Sequence, residues 1–156
     1  MSFKDAMSLI PSSVSVVSCF EGGLIYGCTI SSLVSIDVRE DNPKIIFVLK
    51  KQSLVGEKIK TSKLFTINIL SARQIEIAQK YSAARSPDNF SDSNWTIKGN
   101  FAEILKCKII MNCKLIQIYD SHAANIFVGK VIKHSIDQSQ LTLIYNARRY
   151  GKFQSN

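Results

Sequence analysis

The sequence predicts a mainly β protein in which about seven strands, mostly antiparallel, form a barrel with flanking helices. Short apolar runs such as KIIFVLK and LFTINIL are typical of buried strands. A Gly-Gly turn joins two further β-forming runs, and helical periodicity is confined to two or three short segments. With 156 residues, 46% of them hydrophobic, the chain suits one domain over residues 1–156 with its own core.

The first elements are a helix and a hairpin. Apolar residues from Phe3 to Ile10 recur at helical spacing, and Pro11 ends that helix. The runs SVSVVSCF and LIYGCTISSL then form a hairpin around Gly22 and Gly23.

The middle of the chain alternates strands with short helices. The two apolar runs at 44–50 and 64–70 are separated by a segment that predicts a short helix. Ser71 and Gln74 have the spacing of a capping box, which predicts a helix continuing to about Tyr81. Residues 83–98 are polar and predict a long surface loop, and three strand segments follow: 102–119, 125–136 and 141–147.

The formal charge of +8 is compatible with nucleic acid, a membrane surface or a small anionic ligand. The lysines are scattered and no nucleic-acid-binding motif accompanies them, so a nucleic-acid partner is not favoured. No apolar run approaches the ~20 residues that span a bilayer, so we expect no membrane partner and a cytoplasmic location. The four cysteines have no C-x-x-C spacing, which favours reduced, largely buried thiols over a metal site.

Common nucleotide-binding, protease and esterase motifs are missing from the sequence. With only two histidines and no evident acid-base pair, we expect no catalytic side chain, and a cofactor would supply the chemistry.

The segment YGCTISSLVSID is unusually rich in hydroxyls for a strand, with Thr29, Ser31, Ser32 and Ser35 within seven residues. Converging hydroxyls and backbone N–H groups can hold a phosphate without burying a charge. An edge strand whose serines face water would have the same pattern, so both interpretations stay open at this point.

Seven segments occur in an order that resembles one family over nearly the whole chain. They are SVSVVS at 13–18, GCTISSLVS at 27–35, NPKIIFVLKKQS at 42–53, FTINIL at 65–70, DNF with NW at 88–95, IFVGKV at 126–131 and LIYNARRYGKF at 143–153. From Phe3 to Tyr150 the chain thereby resembles the flavin reductase family, small split-barrel proteins that serve as reductase partners of two-component flavin monooxygenases.

The resemblance implies a six-stranded split β-barrel, a homodimer with flavin near the subunit interface, and hydride transfer from NADH or NADPH to FMN or FAD. The reduced flavin would pass to a partner monooxygenase. The resemblance implies three groups of flavin contacts. The ribityl chain and phosphate would be held by the hydroxyls of Thr29, Ser31, Ser32 and Ser35, and a turn facing the phosphate would carry Lys51 and Ser53. The aromatic side chains near the flavin ring or the dimer seam would be Phe90, Trp95 and Tyr150. A lysine beside a nearly dianionic phosphate also makes independent electrostatic sense.

The chain departs from the family where many members carry Gly-Asp-His, since His122-Ala123-Ala124 stands there. In the family that segment lies on the nicotinamide side, where His122 could substitute and Arg148 could meet the dinucleotide pyrophosphate. Three hypotheses follow in decreasing order: an NAD(P)H:flavin oxidoreductase, a flavin-binding protein of the same fold with weak or no NAD(P)H oxidation, and a basic β-barrel that binds nucleic acid.

Overall fold

The computed structural model describes residues 1–83, 87 and 93–155, and confirms the mainly β class. Its three helices are α1 (Phe3–Ser8), α2 (Leu54–Ser62) and α3 (Ile75–Ala83). Its strands are β1 (Ser12–Ser13), β2 (Ser15–Glu21), β3 (Leu24–Ile30), β4 (Val34–Asp37), β5 (Lys44–Lys50), β6 (Leu64–Ile69), β7 (Trp95–Lys98), β8 (Phe101–Ile104), β9 (Ile109–Asp120), β10 (Ala124–Ile136), β11 (Leu143–Asn146) and β12 (Arg149–Lys152). Every recorded strand pairing among these is antiparallel.

The main sheet has seven strands in the order β3-β2-β6-β9-β10-β5-β4, one more than the resemblance implied. Its two edge strands, β3 and β4, are consecutive in sequence and joined only by residues 31–33. Because these three residues can span at most about 14 Å, the sheet has to curl until the edge strands β3 and β4 lie close together. The backbone N–H of Val48 on β5 donates to Ser32 Oγ at 2.9 Å across this junction, consistent with a split barrel.

Alternate residues of the curled sheet fill the barrel with apolar side chains. Phe47 is stacked on Phe127 and tilted against Phe65, with ring centroids 5.2 Å apart in both pairs. Gly129 makes room for this packing, because a Cβ at that position would lie 2.4 Å from Phe65 Cζ. The assignment of Phe47 and Phe65, with Ile45 and Ile67, to the core is confirmed by their burial.

The outer face of β2, β3 and β6 is covered by α3 and the β7–β8 hairpin, and buried polar groups attach that hairpin. Asn68 Nδ2 donates to Ser18 Oγ at 3.0 Å, and Ser18 Oγ donates to the carbonyl of Ala102 on β8 at 2.7 Å. Asn68 Oδ1 accepts from the backbone of Ile104 at 2.8 Å. Because these groups satisfy one another, burying them does not leave unpaired donors or acceptors.

Several sequence-based boundaries differ from the structure. The predicted strand segment 102–119 is divided between β8 and β9, with residues 105–108 as the connection. The hydroxyl-rich strand ends at Ile30 instead of continuing to Leu33, because residues 31–33 cross between the sheet edges. The predicted loop at 83–98 contains β7, which pairs with β8. Helix α3 begins at Ile75, later than predicted, because Ser71 makes a β-bridge with Thr142. One half of the predicted capping box does form, since Ser71 N–H donates to Gln74 Oε1 at 2.9 Å.

The chain termini meet on one side of the barrel. Strands β1, β11 and β12 form a small sheet, and the backbone N–H of Ala147 in the β11–β12 turn donates to the carbonyl of Ser8 at 2.6 Å. Arg148 in the same turn pairs with Asp5 on α1. Within the described ranges, no helix has the length and apolar composition needed to cross a membrane.

Candidate functional site

A cleft of about 270 Å³ lies where β3 ends, between α3 and the β11–β12 hairpin. Its lining includes the hydroxyls of Thr29, Ser31 and Ser82 and the rings of Tyr145 and Tyr150. Those rings have centroids 5.3 Å apart and are tilted by 58°, and the remaining lining side chains are Val14 and Ile30. The cleft thus combines hydroxyls with aromatic surface.

The approach of α3 to β3 creates one wall of this cleft and depends on a glycine. A Cβ on Gly27 would lie 2.8 Å from Tyr81 Cδ1, so the Tyr81 ring packs directly on the β3 backbone. The Tyr81 hydroxyl accepts a 2.7 Å hydrogen bond from Trp95 Nε1, with the two rings edge to face. Two residues along β3, Thr29 Oγ1 donates to the carbonyl of Ala78 at 2.7 Å.

The hydroxyls assigned to a phosphate differ in whether their single proton is already used. Thr29 has used its proton on Ala78 and keeps only acceptor capacity. Ser32 Oγ accepts from Val48 N–H, while its own bond to the Val48 carbonyl is long at 3.4 Å and therefore weak. Ser53 caps α2 by accepting from Gly56 N–H at 3.2 Å, which leaves its proton available. The exposed Ser31 has no recorded hydroxyl hydrogen bond within the described part of the chain.

Ser35 lies exposed on the edge strand β4, opposite Ile45 of β5, and does not line the cleft. Ser35 is exposed to solvent. This exposure agrees with the alternative interpretation of the segment, in which the serines of an edge strand face water.

Lys51 and Ser53 lie on the turn between β5 and α2, as the resemblance implied, but outside the cleft. Lys51 Nζ pairs with Asp120 Oδ1 at 2.8 Å, and its backbone N–H donates to the carbonyl of Ala123 at 3.4 Å. The turn between β9 and β10, which carries the exposed His122, is therefore next to Lys51. We call this group of Lys51, Ser53, Asp120 and His122 the lysine turn.

The remaining predicted residues lie elsewhere. Trp95 is buried on β7 and packs against Tyr81 instead of lining the cleft. Arg148 is engaged with Asp5. Phe90 lies outside the described residues.

Two titratable groups near the cleft have raised pKa values. Burial is the main cause of the raised pKa of Tyr150, and the neighbouring Tyr145 adds to it. Burial also raises the pKa of the Cys28 thiol, an effect that the charge of Lys50 partly opposes. All four cysteines are free, and none of the described residues forms a group of three or more His, Cys, Asp or Glu able to hold a metal ion. Among the described residues that line the cleft, none is an activated nucleophile.

Sequence reasoning missed four of the seven residues that line the cleft, the apolar Val14 and Ile30 and the polar Ser82 and Tyr145. Tyr145 stands in the same closing segment as Tyr150 and is its direct partner in the β11–β12 ladder, so the hairpin pattern could have identified it. Ser82 had no comparable signal, because its position depends on how α3 packs.

The protein is thus an antiparallel split barrel with a cleft of hydroxyls and tyrosines at the end of β3 and a lysine turn after β5. A family model described as "Flavin reductase like domain" matches residues 7–154, and the chain belongs to this family. The resemblance found in the sequence is thereby confirmed.

Two relatives extend this finding. The chain is 26% identical over 152 residues to the reductase component of 4-nitrophenol 4-monooxygenase/4-nitrocatechol 2-monooxygenase from Rhodococcus opacus, covering 97% of this chain and 80% of the relative. It is 21% identical over 154 residues to the FMN reductase (NADH) RutF from Agrobacterium fabrum, covering 96% of this chain and 86% of that protein.

Solved structures have the same fold. The NADH:FAD oxidoreductase SgcE6 from Streptomyces globisporus superposes with a TM-score of 0.88 at 18% identity, over 97% of this chain and 92% of that one. The same protein in complex with NAD and FAD fragments superposes with a TM-score of 0.87 at 20% identity, over 97% and 90% of the two chains. The names of these relatives agree with the flavin and nicotinamide cofactors that the sequence predicted.

Proposed function

We propose that this protein is an NAD(P)H:flavin oxidoreductase that binds FMN or FAD and supplies reduced flavin to a partner monooxygenase. The observation that carries the proposal is the cleft, in which Ser31 and Tyr150 line one cavity although 119 positions separate them in the sequence. The family resemblance implied that Ser31 holds the ribityl chain and phosphate and that Tyr150 packs near the flavin or the dimer seam. Membership of the flavin reductase family and the names of the relatives support the same reaction.

The cleft fits a flat ring system better than a whole dinucleotide. Its volume of about 270 Å³ is just below the ~300–1,000 Å³ typical of ligand pockets. Tyr145 and Tyr150 offer aromatic surface for stacking, and Val14 and Ile30 exclude water from the ring edge. A ribityl phosphate would leave the cleft along residues 31–33.

The flavin phosphate needs hydrogen-bond donors. The described hydroxyls can be ranked as donors by whether their proton is free. Ser31, Ser32 and Ser53 can each donate without giving up a strong bond, whereas Thr29 can only accept, for instance from a ribityl hydroxyl. Lys51 lies about 10 Å along the chain from Val48, the partner of Ser32, and contributes the positive charge.

When bound, the flavin and the nicotinamide supply the hydride chemistry themselves. The protein has to bring the two rings together and keep water out, which requires no acid or base. Neutral Tyr150 suits this task because it presents a ring and a hydrogen-bond donor without a charge.

Anaerobic mixing tests the proposal. Flavin-loaded protein is mixed with NADH and then NADPH, and bleaching of the visible flavin absorption measures reduction and ranks the donors. Free flavin with NADH alone is the control. Failure of the protein to retain FMN or FAD at micromolar concentrations would exclude this function.

A second candidate is a flavin-binding protein with weak or no NAD(P)H oxidation, and the lysine turn favours it. The segment His122-Ala123-Ala124 has no acid and does not carry histidine at position 124. His122 itself is exposed to solvent. Retained flavin that is not bleached by either nicotinamide would support this candidate over the first.

We also propose a homodimer that uses the outer face of β4, β5, β9 and β10. A surface depression of about 440 Å³ there is lined mainly by apolar side chains, and Ile36, Ile116 and Tyr119 are each roughly half exposed. A two-fold dimer would bury these exposed apolar side chains against their own copies. Sedimentation analysis of Ile116→Glu against the parent tests this, with dissociation expected for the variant. A parent that sediments as a monomer would refute the dimer.

A further inference from the structure

Lys51, the residue proposed to meet the flavin phosphate, is already paired with a carboxylate. Its ammonium lies 2.8 Å from Asp120 Oδ1. Asp120 ends β9 and Lys51 follows β5, so the two side chains meet over the first residues of β10, which lies between those strands. Within the described ranges, Asp120 is the only acid recorded in an ion pair with Lys51.

The backbone holds this pair together. The N–H of Lys51 donates to the carbonyl of Ala123, and Lys50 is the ladder partner of Ala124. The β9–β10 turn therefore cannot move far from Lys51 while the sheet is intact. Whatever binds the Lys51 ammonium has to do so close to Asp120.

A phosphate can compete successfully with Asp120 for this lysine. The Asp120 side chain is 73% exposed, and ion pairs with such exposure contribute little to stability. A phosphate monoester has up to twice the charge of a carboxylate and three oxygens that accept charge-assisted hydrogen bonds. Once displaced, the carboxylate remains nearby and repels the same phosphate.

We propose that Asp120 competes with the flavin phosphate for the ammonium group of Lys51. This competition limits the preference of the protein for phosphorylated flavins over riboflavin. The inference rests on the proposed flavin-binding function. Asp120 would then be a specificity-determining residue: it lowers the extra affinity that the phosphate gives to FMN over riboflavin, and it does not contact the flavin ring.

The test is Asp120→Asn, which keeps the size of the side chain and removes its charge. Affinities for FMN and for riboflavin, which has no phosphate, are measured by quenching of flavin fluorescence at low ionic strength. We expect FMN to bind roughly three- to tenfold more tightly and riboflavin to bind as it does to the parent. Added salt should reduce the difference.

Glu40→Gln is the matched control, because it raises the net charge by the same amount. Glu40 is exposed near the other end of β5, about 20 Å away along the strand, so FMN affinity should not change. In a Lys51→Met background, Asp120→Asn should give a clearly smaller gain, since the competition is gone and only repulsion remains.

Equal or weaker FMN binding by Asp120→Asn would overturn the inference, as would an equal gain for riboflavin or for Glu40→Gln. If the parent binds FMN but Asp120→Asn shows no gain, the inference fails and the proposed function stands. If the parent binds neither flavin, both fail together.

Discussion

The cleft and the lysine turn differ in how far the fold itself has used their polar groups. In the cleft, the Thr29 hydroxyl donates its proton to the carbonyl of Ala78 on α3, and the β11–β12 ladder holds Tyr145 beside Tyr150. In the lysine turn, Ser53 keeps its proton, and Asp120, the one ion-pair partner of Lys51 among the described residues, is exposed. The fold therefore holds Thr29 in place, whereas the lysine turn can exchange its partners for a ligand at small cost.

The largest expected effect is on the structural side of this comparison. Gly27→Ala places a methyl group 2.8 Å from Tyr81 Cδ1, so α3 has to shift and the free energy of unfolding should fall by about 1–3 kcal/mol. Urea denaturation measures the change. Gly151→Ala on β12 is the control, because its Cβ would meet nothing within 4 Å. Equal stability of the two variants would mean that α3 is not packed closely on β3.

Removing two available donors should weaken phosphate binding. Ser31→Ala combined with Ser32→Ala should lower FMN affinity by about 1–3 kcal/mol, the cost of lost charge-assisted hydrogen bonds, and leave riboflavin affinity almost unchanged. Isothermal titration of both flavins measures this. Ser135→Ala, an exposed serine in the distal half of β10, is the control. If the double variant binds FMN like the parent, these hydroxyls only face water.

Restoring the family segment at the lysine turn should improve nicotinamide handling. The triple variant His122→Gly, Ala123→Asp, Ala124→His is expected to raise kcat/KM for NADH by on the order of tenfold, equivalent to about 1.4 kcal/mol. Steady-state NADH oxidation at saturating FMN provides the measurement. A parent that already reduces flavin rapidly, with no gain in the variant, would mean that another group serves this role.

Thr29→Val should affect stability more than ligand affinity. The substitution keeps the shape of a β-branched side chain but removes the bond to the Ala78 carbonyl, so the free energy of unfolding should fall by about 1 kcal/mol. The ratio of FMN to riboflavin affinity should stay at the parent value. A loss of that ratio as large as in the serine variants would show that Thr29 does contact the phosphate.

The smallest effect concerns the support of the tyrosine wall. Hydrogen bonds from Ser2, and then from Arg148, lower the pKa of Asp5, so its contribution to stability is present above the unfolded pKa and is lost as the pH falls through the folded value. Asp5→Asn should therefore flatten the dependence of thermal stability on pH below about pH 4. Thermal unfolding from pH 3 to 7 follows it. If Asp5→Asn leaves the loss of thermal stability at low pH unchanged, the pair of Asp5 and Arg148 does not hold the β11–β12 hairpin.

Local patterns predicted most of the fold because strand alternation and turn residues act over a few positions. The Gly22-Gly23 hairpin, the strands KIIFVLK and LFTINIL, and helix α2 all lie where the sequence places them. Strand β7 was missed because a polar stretch conceals it and its stability comes from pairing with β8 and burial of Trp95. The later start of α3 reflects the bridge between Ser71 and Thr142, a contact between distant positions.

By itself, the sequence determined the β class, the family, and the residue types available for an anionic cofactor, since these follow from local periodicity and ordered motifs. Tertiary structure alone decided which hydroxyls keep a proton to donate. Thr29 and Ser31 are two positions apart in one motif, yet Thr29 donates to α3 and Ser31 has no recorded bond among the described residues. The pairing of Lys51 with Asp120 likewise arises only when the sheet aligns β5, β10 and β9. A hydroxyl has one proton and a lysine one charge, and only the folded chain determines which neighbours use them.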